Sequence, residues 1–311
     1  SSVFGTITYI LCGRTKFSLF FMKRKITMSK LIVNADDFGL HSAVNAGIID
    51  GHRTGIITST SLLAGGEAFT EAVSMAKENP KLGIGIHIAL VGGLKPVCDP
   101  AEVPSLVTAE GVFPESYVDF MKRIYSGKIN YSELRKEIHG QIAQIMDTGL
   151  RVTHIDGHQH LHVLPTVLPI VIEQAKSFGI HAIRIPDEST GFMNYMYSPI
   201  RFLGKVSLST VAANARPIIR NNCMTTTQYF WGMVNGGHIN QKSLMGILKA
   251  VNKHSGTHEL MVHPGSNSSI LSKLYNWGYH WEDELHALCS SLTRLYISQH
   301  DIELINYGDL V

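Results

Sequence analysis

The chain has 311 residues, of which 44% are hydrophobic and 17% are charged, and its formal net charge is +2. A chain of this length allows one large α/β domain or two ordinary domains. The nearly balanced charge, without a basic stripe or an acidic tail, argues against a nucleic-acid-binding protein. The 16 histidines are the unusual feature, because they provide metal-binding and proton-transfer capacity near neutral pH.

Residues 1–27 are expected to be an N-terminal extension outside the fold. Their apolar runs, TITYILCG and FSLFF, are shorter than the roughly 20 residues that span a bilayer. The basic MKRKITMSK that follows does not resemble a signal-peptide cleavage site, so Met28 is the expected natural start. No transmembrane segment is expected.

Beyond Met28, short apolar runs alternate with longer segments of helical period. The strand candidates are residues 31–35, 57–63, 84–90, 152–156, 182–186, 226–232, 259–263 and 302–306. The helix candidates are residues 43–53, 67–78, 131–148, 164–178, 192–215, 239–253 and 281–300. Such alternation implies parallel strands with right-handed crossovers. It favours an α/β fold of the TIM-like (β/α) barrel type, closed or distorted, although a doubly wound open sheet has the same alternation.

The cysteines indicate a reducing compartment. Cys12, Cys98, Cys223 and Cys289 are widely spaced and form no CxxC pair, which argues against a zinc ribbon and a disulfide framework. We therefore expect a cytoplasmic protein.

The longest irregular stretch, residues 91–116, is rich in glycine and proline. It is too long for a simple connector, and it starts directly after the strand that carries His87. We expect it to be a loop that faces a substrate.

Ionisable residues concentrate at the ends of four expected strands. The segments are NADDFG, GIHIAL, HIDGHQHLH and MVHPG. In α/β barrels the loops after the strands converge on one mouth, where active sites are built. We therefore expect one site assembled from these four segments.

Asp36 and Asp37 are adjacent, so their side chains diverge in an extended backbone. One carboxylate can bind a metal ion while the other is available as a base. A structural alternative is that one of them caps the next helix, but Ser42 is better placed to cap a helix from residue 43. The pair is therefore interpreted as chemical.

Histidines supply the other expected ligands. His87 interrupts an apolar strand, where a hydrogen-bonded core histidine is the common alternative. In THIDGHQHLH, His154, Asp156 and His158 are expected to share one strand face, whereas His160 follows a turn. His154 and Asp156 are expected to orient a metal-bound imidazole.

Mixed Asp and His ligation suits Zn²⁺, Mn²⁺ or Fe²⁺, and three protein ligands leave positions open to water. An open site of this kind indicates catalysis. A divalent ion lowers the pKa of bound water towards ~7, so that a nearby carboxylate can take its proton. His263 could then protonate a leaving group.

Together, NADDFG, GIHIAL, THIDGHQHLH and ELMVHPG resemble the four signature segments of the YdjC-like (ChbG/YdjC) carbohydrate deacetylases. The resemblance runs from about Lys30 to Leu310, and the occurrence of all four motifs in order makes it specific. It implies that residues 28–311 form one metal-dependent deacetylase domain with a (β/α)-barrel-like fold. The implied activity is hydrolysis of the N-acetyl group of an acetylated amino sugar.

The resemblance also implies residue roles. Asp37, His87 and His158 correspond to the metal ligands, Asp36 to the general base and His263 to the general acid. One divalent ion, Mg²⁺ or Zn²⁺, is the implied cofactor. The residues expected to orient these groups or to contact substrate are His154, Asp156, His160 and Arg184.

The segments NADDFGLHSAVNAGI, TSTSLLA and VPSLVTAEGVF are similar to the hopanoid-biosynthesis-associated branch, HpnK. That branch implies a glucosamine group carried on a hopanoid lipid. The expected partner is thus a small-molecule or lipid-linked acetylated amino sugar, and a homodimer is a candidate assembly.

Two other functions are open at this stage. A non-haem iron oxygenase would use one Asp and two His as a facial triad, but it usually has an all-β fold. A sugar-binding or regulatory protein would keep the metal and need neither Asp36 as base nor His263 as acid.

Overall fold

A computed structural model describes residues 28–188 and 199–310, with the side chains of residues 199–208 excepted. The expected extension, residues 1–27, and the first residues of the helix expected at 192–215 lie outside this part of the chain. No helix in the described part is both long and apolar enough to cross a membrane.

The described strands form one parallel sheet. They are β1 (Ser29–Phe38), β2 (Ser59–Leu62), β3 (Gly83–Ile88), β4 (Val152–Gly157), β5 (Tyr229–Trp231), β6 (Gly256–Val262) and β7 (Ile302–Leu304). The order across the sheet is β4-β3-β2-β1-β6-β5, and β7 pairs with β1. β6 pairs along one edge of β1. β7 pairs with Ser29–Leu31 on the opposite edge, which is the edge that β2 pairs with from Asn34 onward.

Two isolated parallel bridges curl the sheet towards closure. Ile155 of β4 pairs with Ile183, and Ala182 pairs with Thr225, which leads into β5. The expected strand at 182–186 is present only as these bridges. The arrangement confirms the expected distorted, TIM-like barrel in a single α/β domain.

Helices surround the sheet. They are α1 (Ser42–Thr54), α2 (Phe69–Glu78), α3 (Tyr117–Tyr125), α4 (Tyr131–Met146), α5 (Leu168–Ser177), α6 (Pro199–Asn221), α7 (Gln241–Val251), α8 (Ser268–Leu274), α9 (Trp281–Cys289) and α10 (Ser291–Gln299). The single helix expected over 281–300 is two helices, because Ser290 adopts an extended backbone and its side chain caps α10. The short helices α3 and α8 were not expected.

The cap of α1 differs from expectation by one residue. His41, with an extended backbone, accepts a hydrogen bond at Nδ1 from the Ala43 N–H at 3.0 Å. Ser42 is instead the first helical residue. The prediction that Ser42 caps α1 was therefore wrong, but the cap is still not one of the two aspartates.

The main apolar core lies outside the barrel, between the sheet and the helices. In β1 the alternate residues Leu31, Val33 and Ala35 belong to this core, while Asn34 and Asp36 point to the other face of the sheet. That inner face carries a buried polar layer: Asn34, Asp36, Ser61, His87, His154, Asp156, Arg184 and Glu259. The barrel interior is thus the place where charge is concentrated.

A small apolar cluster closes the barrel below the polar layer. Its members are Ile32, Ala182, Ile305 and Tyr307. Tyr307 is fully buried, and its ring stacks on His154 with a centroid distance of 3.9 Å. The polar layer is therefore sealed at one end, and its other end meets the loops that follow the strands.

Candidate active site

Three expected ligands meet at the carboxyl ends of the strands. Asp37 near the end of β1, His87 in β3 and His158 directly after β4 are buried, and their ligand atoms lie within 4.8 Å of one another. Asp37 Oδ1 is 3.0 Å from His158 Nδ1 and 3.4 Å from His87 Nε2. The structure therefore brings the sequence-predicted triad together.

The backbone conformation of Asp37 explains why the carboxylates of the adjacent Asp36 and Asp37 point in different directions. Asp37 has φ +69°, a left-handed conformation that costs free energy for a residue with a Cβ. The turn directs its carboxylate towards the two histidines, while Asp36 stays with the inner polar layer. Strain at this position is consistent with a functional constraint.

A second strained turn presents His158. Gln159 and His160, the two residues after it, have φ +51° and +60°. The loop that was expected to face the substrate, residues 91–116, comes close to His158, since a Cβ on Gly92 would lie only 2.9 Å from His158 Nε2. A side chain at residue 92 would therefore displace the His158 ring.

Asp156 orients His87. His87 Nδ1 lies 2.7 Å from Asp156 Oδ1, and a carboxylate can only accept this hydrogen bond. Nδ1 therefore carries the proton, and Nε2 is the nitrogen that faces Asp37. A carboxylate in this position fixes the tautomer and the orientation of the imidazole.

Arg184 is buried behind the triad and holds three carboxylates. Its Nη1 and Nη2 donate to the two oxygens of Asp36 at 2.6 and 2.7 Å. Nη2 is also 3.0 Å from Asp156, and Nε donates to Glu259 at 2.7 Å. Arg184 has no exposed surface, and its three nitrogens hold these three carboxylates in place.

Asp36 is more constrained than a free base. Oδ1 accepts hydrogen bonds from Asn34 at 2.9 Å and from Arg184, whereas Oδ2 accepts from Arg184 Nη1 alone among the described contacts. Each carboxylate oxygen has two lone pairs, so Oδ2 keeps one acceptor position. Asp36 can thus still take a proton, in an orientation that Arg184 fixes.

The electrostatics of the triad favour a bound cation. Burial alone would raise the pKa of Asp37, but His158 and His87 hold it well below the usual range. Burial likewise opposes the charged form of His87, yet Asp156, Asp37 and Asp36 raise the pKa of His87 to about 10. The site therefore keeps Asp37 anionic, and a metal ion at His87 Nε2 would replace the proton that the ring holds there.

Unpaired buried atoms support a divalent ion at this triad. Asp37 Oδ2 and His158 Nε2 are buried and make no hydrogen bond, which is costly unless a partner binds there. A second group of potential ligands, Asp36, His87 and Asp156, also lies close together. Arg184 already donates to both of its carboxylates, so the Asp37 group fits a metal better.

His263 follows β6 at the same mouth. Its ring is buried and Nδ1 has no hydrogen-bond partner, while its backbone N–H donates to Glu284 at 2.5 Å. Burial lowers the pKa of His263, and Asp36 and Asp37 oppose that shift. The histidine that was expected to be the acid is thus a buried ring with one unpaired nitrogen.

The remaining expected residues lie farther from the triad. His154 contacts Ser61, with Nε2 3.3 Å from Oγ, and Ser61 donates to Asp156 at 2.6 Å. A Cβ on Gly85 would fall 2.3 Å from the His154 ring, so this close approach requires glycine. His160 packs edge-on against Phe230 at 5.9 Å, and its Nδ1 is buried without a hydrogen-bond partner.

Sequence reasoning missed two members of the buried network. Glu259 accepts hydrogen bonds from Arg184 Nε and from the Tyr307 hydroxyl. Burial raises the pKa of Glu259 to about 7, although Arg184 and Tyr307 lower it. The sequence did contain a signal for Glu259: it lies four residues before His263, so the two side chains point to the same side of an extended chain. Tyr307 carried no comparable signal.

Comparison with known proteins gives consistent matches over most of the chain. The YdjC-like protein family matches residues 30–299. A protein from Clostridium beijerinckii named carbohydrate deacetylase is 32% identical over 281 residues, covering 90% of this chain and all of that protein. A mouse protein of the same name is 29% identical over 297 residues, covering 90% of this chain and 94% of its own.

A solved structure shares the fold. A crystal structure from Enterococcus faecalis, whose name refers to cellobiose-phosphate cleavage, matches with a TM-score of 0.73 and 28% identity. The match covers 91% of this chain and 99% of that one.

Proposed function

This chain belongs to the YdjC-like protein family, and we propose that it is a metal-dependent carbohydrate deacetylase. The reaction is hydrolysis of the N-acetyl group of an amino sugar, which gives the free amine and acetate. The names of the related proteins support the reaction class. The observation that carries the proposal is the buried Asp37, His87 and His158 triad, with its unpaired ligand atoms, beside Asp36 and His263.

Asp37, His87 and His158 would hold one divalent ion, Mg²⁺ or Zn²⁺. Such an ion, when bound, supplies Lewis-acid polarisation of the acetyl carbonyl and acidifies water at neutral pH. The chain's own contribution is to fix the ligands, through Asp156 on His87 and the strained turn at Asp37.

Asp36 is the proposed general base. Its Oδ2 has a free acceptor position, and the two hydrogen bonds from Arg184 fix the direction of that position. A base held in one orientation does not have to be reorganised during proton transfer. Asn34 donates a hydrogen bond to Asp36, and Glu259 accepts one from Arg184, so both residues stabilise this arrangement.

His263 is the proposed general acid. The amine that leaves the tetrahedral intermediate needs a proton, and an imidazolium can deliver one. Since burial lowers the pKa of His263, the resting ring is neutral near pH 7 and must gain a proton during the reaction cycle. The unpaired Nδ1 is the atom available for this exchange.

The alternatives fit the molecule less well. A facial-triad oxygenase usually has an all-β roll, whereas this sheet is parallel and surrounded by helices. A binding protein has no use for a positioned base and a buried histidine with an unpaired nitrogen. Both positions are intact here.

The test is acetate release from metal-stripped protein with single divalent ions added back. Two substrates separate the branches of the family: N,N′-diacetylchitobiose and an acetylglucosaminyl lipid of the hopanoid type. Release that depends on added metal is expected from at least one of them. Binding of either substrate without any release under all metals would contradict the proposal and favour a binding protein.

A further inference from the structure

We propose that Trp277 and Tyr279 form a stacking wall for the pyranose ring of the substrate, beside the proposed catalytic groups. The inference rests on the proposed deacetylase function and specifies where its sugar binds. Both residues belong to the loop between α8 and α9, outside the four motifs.

The loop presents alternate aromatic side chains. Tyr275, Trp277 and Tyr279 follow each other at every second position, and consecutive rings are 4.9 and 5.6 Å apart. All three are half-buried. Gly278, between the last two, has φ +69°, so the chain turns where the two rings meet.

The rings contact the catalytic groups directly. The Trp277 ring centroid is 5.2 Å from that of His158, and the Tyr279 centroid is 4.7 Å from that of His263. The pair therefore extends from a proposed metal ligand to the proposed acid. A sugar whose acetyl group reaches the triad must have its ring close to this wall.

The wall is built into the fold. A Cβ on Gly237 would lie 2.1 Å from the Tyr279 ring, so the ring packs against bare backbone. The His280 N–H donates to the Gly237 carbonyl at 2.6 Å, and the buried Trp281 packs behind both rings at 6.0 and 5.0 Å. A preformed surface of this kind binds with little ordering cost.

The chemistry of the wall fits a pyranose. Aromatic faces carry negative potential, and one face of an amino sugar presents C–H groups with partial positive charge. Binding sites for small molecules commonly combine such aromatic surfaces with a few polar groups that fix orientation. Here the polar groups are the triad, Asp36 and His263.

The test compares Trp277→Ala and Tyr279→Ala with the wild type on N,N′-diacetylchitobiose. We expect KM to rise about tenfold for each variant while kcat changes less than about threefold, because stacking stabilises the bound ring in both the ground and transition states. Trp277→Phe should restore most of the affinity. Tyr296→Ala is the matched control, because Tyr296 also stacks on a histidine, His300, at 3.8 Å but lies on α10.

Two further measurements separate the possible failures. Metal affinity, measured by calorimetry, should be unchanged in Trp277→Phe, which shows that His158 is still in place. Binding of N,N′-diacetylchitobiose to Asp36→Asn protein, with and without Trp277→Ala, tests the wall without turnover. Absence of acetate release by the wild type would contradict the proposed function alone. Equal KM and equal binding in wild type and Trp277→Ala, with activity intact, would overturn the wall.

Discussion

His258 and His263 stand at opposite ends of β6, and both are buried. The two nitrogens of His258 are paired: Nδ1 accepts from the Trp231 indole at 3.1 Å, and Nε2 lies 2.8 Å from the His254 carbonyl. His263 instead leaves Nδ1 buried without a hydrogen-bond partner.

The difference separates the roles that we propose for these two histidines, of which His258 lies in β6 and His263 directly follows it. Burial is common to both, and it lowers the pKa of both rings. What differs is whether the ring nitrogens are hydrogen-bonded within the protein. An unpaired buried nitrogen costs free energy in the resting protein, and this cost is explained when a substrate or proton binds there.

The largest expected effect distinguishes the two histidines by activity. His263→Gln should lower kcat for acetate release about 10²–10⁴-fold, the usual contribution of a positioned acid or base, with little change in stability. His258→Gln should keep kcat within about threefold but lose roughly 1–3 kcal/mol of stability, because it disturbs buried hydrogen bonds. Steady-state kinetics and urea unfolding of both variants measure this. Equal loss of kcat in the two variants would contradict the distinction.

The pH dependence of stability should identify His258 as a structural residue. Burial lowers its folded-state pKa from 6.5 to about 4, so its stabilising effect is complete above the unfolded pKa of about 6.5. It is lost as the pH falls towards the folded value, because the unfolded chain binds the proton more tightly. The loss is roughly 2–3 kcal/mol between pH 6.5 and 4.

The measurement is urea unfolding of wild type and His258→Gln at several values between pH 7.5 and 4.5. The stability difference between the two proteins should shrink as the pH falls. A constant difference over this range would show that His258 does not titrate as described.

A smaller effect, on the affinity for the divalent ion, is expected when a methyl group is added beside His158 at Gly92. Gly92→Ala should weaken binding of the divalent ion about tenfold, because its Cβ would lie 2.9 Å from His158 Nε2. Gly149→Ala is the matched control, since Gly149 also has a positive φ but nothing lies within 4 Å of its Cβ position. Calorimetric titration with Zn²⁺ measures both. Equal affinities would place the metal away from His158.

Much of the fold was predictable because strands and helices alternate with clear apolar periods. The barrel, seven strands and most helices follow from that pattern. The triad was predictable for a related reason, since strand ends at one face of a barrel converge. The break at Ser290 and the cap by His41 were missed, because each depends on one local hydrogen bond that a periodic pattern does not encode.

The buried network behind the triad was only partly predictable. Arg184 was among the residues expected to orient the site or to contact substrate, but its three carboxylate partners come from β1, β4 and β6. Such pairings depend on register and barrel closure, which sequence spacing does not fix. Trp277 lies in the loop between α8 and α9, and Tyr307 begins a short 3₁₀ helix, and no motif marks either position.

The most direct test of the account compares two adjacent residues, Asp36 and Asp37. Asp37→Asn should abolish Zn²⁺ binding and acetate release together, because it removes the anionic ligand. Asp36→Asn should keep Zn²⁺ affinity within about threefold and lower kcat about 10³-fold, and its melting temperature, measured in parallel, checks that Arg184 is still accommodated. Calorimetry and acetate release on the same preparations give both values. Wild-type turnover by Asp36→Asn, or wild-type Zn²⁺ affinity in Asp37→Asn, would contradict the division of roles between base and ligand.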